Sequence, residues 1–476
     1  MKTTLIIMLL SLQVYVNCAV GEDQVFRAGA AKVDVTPQDL PVIVNGGMLE
    51  RRIEEINDPL FVRAVVLDDG ETKIAIVLVD SCMMPRELLD RAKQLASQTT
   101  EIPTNRILIS ATHCHSAPSV FSCLGSSVDV RYEAFLPGRI ATAIEQAYKN
   151  LEPARIGWAM GRDDLHVATR RWMMTEGVAP TNRFGGTRND RAQMHPGYKN
   201  AKAIRETGLE DPEIPVVSLQ AIDGRQIAVM CAYSLHYVGA PNISADYFGI
   251  FEAILEAKLT SGDESKPAIA MLANGTSGDT YLRDYKRDSA RKTDRQSVAE
   301  AVSSAALKAF ETIEYQDWVP LAMEEKELEI AVRFPTDEEV AEATDYVKPW
   351  ADRKPKTSEE VYALETIVLS KMSKTRNIQL QAIAIGTLGI VGIPNEVFAE
   401  TGLNIKKYSP FKTTYSISLA NGAFGYIPPP EQHVLGGYTT WRARSSCLEV
   451  YAEPKIKFEV LKMLERVKLQ RPAITQ

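Results

Sequence analysis

Histidine is scarce in this chain, six among 476 residues, and three of the six follow apolar, β-branched runs. His113 and His115 stand two apart in SATHCHSAP, and His236 closes AYSLHY; a carboxylate, Glu396 in GIPNEVF, closes a third such run. Two imidazole nitrogens and a carboxylate oxygen suit zinc with one coordination position left open for water. On a strand, an i, i+2 spacing puts both imidazoles on one face, so that one binds metal while the other faces substrate. Each piece alone has a plainer reading. His236 serves equally as a hydrogen-bonded core residue, and Glu396 as the cap of a following helix. The joint pattern is what favours a metal.

A second group lies in LANGTSGDTYL, residues 272–282. A glycine-rich turn after a buried strand exposes backbone N–H groups and small hydroxyls beside the next element. Ser277 or Thr276 then qualifies as nucleophile or oxyanion donor, with Asp279 orienting a neighbour. The alternative is a plain tight turn. It is no phosphate loop, because no lysine follows the glycines.

The elements that must carry these residues read as strands and helices in alternation. FVRAVVLDDGETKIAIVLVD is a hairpin turning at Asp69-Gly70, VVSLQAIDGRQIAVMCAYSLH turns at Asp223-Gly224, and IQLQAIAIGTLGIVGIPNE is a third. RILISATH and AIAMLANG read as buried strands, and helical periodicity covers 86–98, 132–150, 251–259 and 294–313. The stretch 162–211 reads as a long loop, and 337–374 as charged helices forming a solvated excursion. No repeat or linker divides the chain. The expected fold is therefore α/β, a mixed sheet flanked by helices, in one catalytic domain over 22–476.

A net charge of −7, well mixed, excludes the basic stripe of a nucleic-acid binder. Lys2, the apolar run Leu5–Leu12 and small residues at Ala19 and Gly21 read as an export signal over 1–21. The expected protein is secreted or periplasmic, with a lipid anchor on Cys18 as the lesser option. No later segment reads as a transmembrane anchor. Six cysteines without regular spacing make no disulfide scaffold, although Cys114 with Cys123 is one candidate pair.

SATHCHSAP resembles the S-x-T-H-T-H-S-G-P motif of the neutral, non-lysosomal ceramidases. LHY with ISADYFG, GTSGD, IPNEV and GYIPPPEQHVLGGY resemble further segments of that family, in the same order from about Ala31 to Tyr451. The family's C-terminal immunoglobulin-like domain has no counterpart in this sequence. The resemblance implies a zinc amidase with His113, His236, Glu396 and Tyr438 as metal ligands. It also implies His115 at the substrate or oxyanion, and Arg170 or Arg171 of HVATRRW as a substrate contact. Tyr281 stands where the family has a serine, and Ser277 precedes Asp279 instead of following it. The expected partner is thus a small or lipid amide or ester, cleaved by zinc-activated water. The alternatives are a non-catalytic zinc-binding homologue and a serine-type esterase using Ser277, His115 and Asp279. A two-metal phosphoesterase needs more carboxylates than the pattern supplies.

Overall fold

The computed structural model describes residues 25–187, 189–261 and 265–470. The expected export signal and Cys18 lie outside them. The long β-branched runs form an eight-stranded sheet and a four-stranded sheet. In the larger, the order is Ile269–Asn274, Gln226–Tyr233, Glu213–Ala221, Glu152–Arg162, Arg27–Asp34, Phe61–Asp68, Lys73–Val79, Ile107–Ala111. Its hairpins pair antiparallel, as the Asp-Gly turns require. Parallel pairing occurs only at the two ends of the sheet, between Lys73–Val79 and Ile107–Ala111 and between Gln226–Tyr233 and Ile269–Asn274. The smaller sheet runs Leu321–Ala331, Thr375–Ile385, Leu388–Ile393, Thr413–Ser418, its last pair parallel.

Strands buried on both faces explain the continuous apolar runs. One face of the large sheet (Val62, Ala64, Val77, Val79) packs on helices through Leu89, Ile140, Phe251 and Val302. Its other face (Val65, Leu67, Ile76, Met230, Met271) packs on Ile383, Ile390 and Ile417 of the small sheet. The small sheet's outer face then covers the helix Ala452–Leu469 through Ile456, Val460 and Met463. The layers are therefore helix, sheet, sheet, helix, a mixed architecture flanked by helices.

The large sheet curls, so the edge strands Ile107–Ala111 and Ile269–Asn274 approach each other although they stand at opposite ends of the strand order. Backbone contacts tie the first to the small sheet: Ala111 N–H donates to Leu419 O (3.3 Å) and Asn421 N–H to Ile109 O (2.8 Å). That closure brings the C-terminal ends of strands from both sheets to one place, where α/β folds assemble their sites.

Three expectations change. The 162–211 stretch is not a bare loop but holds a small sheet of Arg171–Met174, Ala192–Met194 and Ala203–Glu206. Strands of three or four residues are too short to show alternation. The 337–374 segment forms helices Asp337–Val347 and Ser358–Leu369, but it is not purely solvated. Ala343, Val347, Trp350, Tyr362 and Ala363 are buried against Phe184 and Ala443. Cys114 and Cys123 are separate buried thiols. Among the described residues, no helix is long and apolar enough to cross a membrane.

Candidate metal centre

The Ile107–Ala111 strand stops two residues before His113, so the two-residue histidine spacing does not act through a strand face. His113 instead takes a left-handed backbone, φ +69°, a conformation uncommon outside glycine and held only where surroundings demand it. Its N–H donates to Ser81 O (2.9 Å), docking the turn on the end of the neighbouring strand. From there its ring reaches the ring of His236, which follows the Gln226–Tyr233 strand.

The two Nε2 atoms lie 3.2 Å apart. His113 Nδ1 is 2.9 Å from Cys82 O, and His236 Nδ1 is 3.1 Å from Ser277 O. A carbonyl only accepts, so each Nδ1 carries the proton and each Nε2 presents a lone pair. Two lone pairs pointed at one another have no hydrogen to share. Glu396 Oε2 lies 3.4 Å from His113 Nε2 and is buried without a hydrogen-bond partner. Paired lone pairs and an orphaned carboxylate oxygen fit a cation, and these three residues place one ligand atom each within 4.8 Å of one another. Imidazole with carboxylate, each imidazole fixed by a backbone carbonyl, is a donor set for zinc.

Tyr438 lines the same pocket as His113, His115 and Glu396. Burial, then the Glu396 charge, pushes its phenol upward, and the Tyr426 phenol is raised for the same reasons. His115 Nε2 is 3.2 Å from His113 Nε2, and its ring stacks on Tyr237 with centroids 3.7 Å apart. Burial, then His113 and Arg170, holds His115 well below the usual histidine range. Burial and Arg170 do the same for His236. Gly46 is required beside it: at φ +89°, a Cβ there would meet the His115 ring at 2.5 Å.

The adjacent arginines part company. Arg170 Nη2 donates to Gly278 O (2.9 Å) and Tyr426 Oη (3.3 Å) and lies 3.4 Å from His236 Nδ1. Arg171 turns the other way, onto Gln432 Oε1 (3.0 Å), Gln432 O (2.9 Å) and Gly436 O (2.6 Å), and so supports the turn that leads to Tyr438. The Ser277 hydroxyl donates to Asn274 Oδ1 (2.9 Å), while its carbonyl takes His236. Asp279 sits behind Arg170: its backbone oxygen accepts Arg170 N–H (2.9 Å), and its Oδ1 accepts Ala399 N–H (2.8 Å) at the start of the helix Ala399–Tyr408. Burial pushes that carboxyl up to about 6.

The structure thus brings His113, His115, His236, Glu396, Tyr438 and Arg170 to one pocket region. Ser277 and Asp279 stand behind it, and Arg171 is directed elsewhere. Sequence reasoning missed Cys82, Tyr237 and Tyr426. Tyr237 directly follows His236, and Tyr426 opens GYIPPP, so both lay inside quoted segments. The Cys82 carbonyl carries no side-chain clue at all.

No protein-family model and no curated protein matches the sequence. Among solved structures, the chain is similar to the neutral ceramidase of Pseudomonas aeruginosa, with a TM-score of 0.67 and 15% identity over 96% of this chain and 76% of that one. It is also similar to a ceramidase complexed with C2, with a TM-score of 0.68 and 14% identity over 95% and 77% of the two chains. At that identity the likeness is one of fold, and the chain has the fold of the neutral ceramidases.

Proposed function

We propose that this chain is a zinc-dependent hydrolase of the neutral-ceramidase type, cleaving an N-acyl amide or a related ester. The observation that carries the reading is the meeting of two imidazole lone pairs with an unpartnered buried carboxylate. His113, His236, Glu396 and Tyr438 would hold the zinc. When bound, zinc supplies a Lewis acid that polarises a carbonyl and acidifies water.

The protein's own groups divide the remaining work. His115, neutral and clamped between Gly46 and Tyr237, offers Nε2 to take a proton from attacking water and return it to the leaving group. Arg170 spends Nη2 on Tyr426 and Gly278, and its buried Nε–H has no acceptor. That donor and its positive charge suit a substrate oxygen that gains charge. Ser277 acts through its carbonyl, by fixing the proton of His236 on Nδ1.

Elemental analysis of the purified protein, wild type against His236→Ala, tests the centre, and a panel of N-acyl amines and aryl esters tests the chemistry. About one zinc per chain, lost in the variant, with chelator-sensitive turnover, is the expected result. Turnover that survives complete removal of the metal would refute the reading.

A further inference from the structure

The pocket beside the candidate metal centre is short. Its cavity is about 40 Å³. At roughly 10–15 Å³ for each water-sized group, that takes three or four non-hydrogen atoms. Its far wall is a file of aromatic rings. Tyr438 and Trp441 meet edge to face at 6.0 Å and 78°, and Trp441 and Tyr362 at 5.5 Å and 88°. Leu124 lines the pocket with them.

This wall is built in rather than a chance rotamer. Trp441 Nε1–H donates to Asp190 Oδ2 at 2.6 Å. Tyr362 is carried by the helix Ser358–Leu369, which is clamped where the buried Glu365 meets Arg444 at 2.9 Å. The same helix lies against Gly125, where a Cβ would meet Met48 O at 2.6 Å and Val361 Cγ2 at 3.3 Å. A larger cavity of about 720 Å³ exists near Arg86, Phe121 and Met372, but none of the three histidines nor Glu396 lines it.

Resting on the hydrolase reading, we propose that the substrate is an amide or ester with a short acyl group of about two to four carbons, and that Tyr362 and Trp441 set this limit. A leaving group protonated by His115 lies on the Tyr237 side. The acyl group then points toward Tyr438, Trp441 and Tyr362.

Binding of straight-chain alkyl hydroxamates from two to sixteen carbons to the zinc-loaded protein, measured by calorimetry, reads pocket length without needing turnover. Acyl-length profiles for hydrolysis accompany it. Affinity should peak at two to four carbons and fall at least tenfold by eight. In Tyr362→Ala, the eight-carbon probe should recover about tenfold or more with zinc content unchanged. If that variant fails to hold zinc, Leu124→Ala on the pocket wall makes the same test. Wild-type affinity climbing roughly fourfold per methylene through eight carbons, the gain from continued apolar burial, overturns the proposal. So does an unchanged profile in a zinc-binding Tyr362→Ala. Zinc and short hydroxamates bound without any hydrolysis would sink the hydrolase reading and leave the length limit standing. A protein that binds neither overturns both.

Discussion

Glu396→Gln separates a metal ligand from a core carboxylate, because the two roles predict opposite signs. Without metal, the wild-type carboxylate is buried, 7% exposed, with Oε2 unpartnered and two imidazole lone pairs nearby. An unpaired buried charge costs more than a buried amide, and the exchange should stabilise the metal-free protein by about 1–3 kcal/mol. With unfolding entropy of about 2.1 cal/mol/K per residue, 476 residues shift by about 1 °C for each kcal/mol. The variant should therefore melt about 1–3 °C above wild type in chelator. Zinc at about 1,000 times its dissociation constant stabilises the wild type by about 4 kcal/mol, or about 4 °C. An amide oxygen carries no charge to offer the ion, and a loss of about a thousandfold in affinity removes nearly all of that gain. The order of the two proteins should thus invert between chelator and zinc in a thermal scan. A variant that melts below wild type by the same margin in both buffers would refute the reasoning and return Glu396 to a packing or capping role.

His113→Ala and His236→Ala should each lose zinc, whereas His115→Ala should keep it and turn over about 10²-fold more slowly; elemental analysis beside kinetics checks both halves. Gly46→Ala should retain zinc but lose turnover by a similar factor, because its Cβ displaces the His115 ring, and a zinc-bound variant with wild-type kinetics would count against that contact. Asp279 gives a pH signature: its folded carboxyl is raised from 3.8 to about 6. The fold therefore binds the proton more tightly than the unfolded chain, and stability from this group falls as pH rises from about 4 to 6. Asp279→Asn should accordingly be more stable than wild type by about 2 kcal/mol at pH 7.5, and that advantage should vanish below pH 4 in urea titrations.

The layers were legible because each rests on local chemistry. Asp-Gly turns between β-branched runs announce hairpins, and strands buried on both faces announce helices or a second sheet above them. The ligands His113, His236 and Glu396 were legible for a related reason: each follows an apolar run, and strand ends meet. What joins them was not. His113 turns through a left-handed backbone instead of lying along a strand, and its orientation comes from the carbonyl of Cys82, an atom every residue possesses. Arg170 and Arg171 are indistinguishable as letters. Their separation follows from strand alternation on Arg171–Met174, which sends one guanidinium toward His236 and Tyr426 and the other to the Gln432–Gly436 turn. The roof was hidden for another reason. The helix Ser358–Leu369 looks solvated because its charges dominate the count, yet Glu365 is buried on Arg444 and Tyr362 on Trp441. A charged helix read from composition is an exposed one only if its charges face water. Here one of them is the clamp that holds an aromatic ring over the metal pocket, so the residues that limit the substrate sit in the segment that looked least concerned with chemistry.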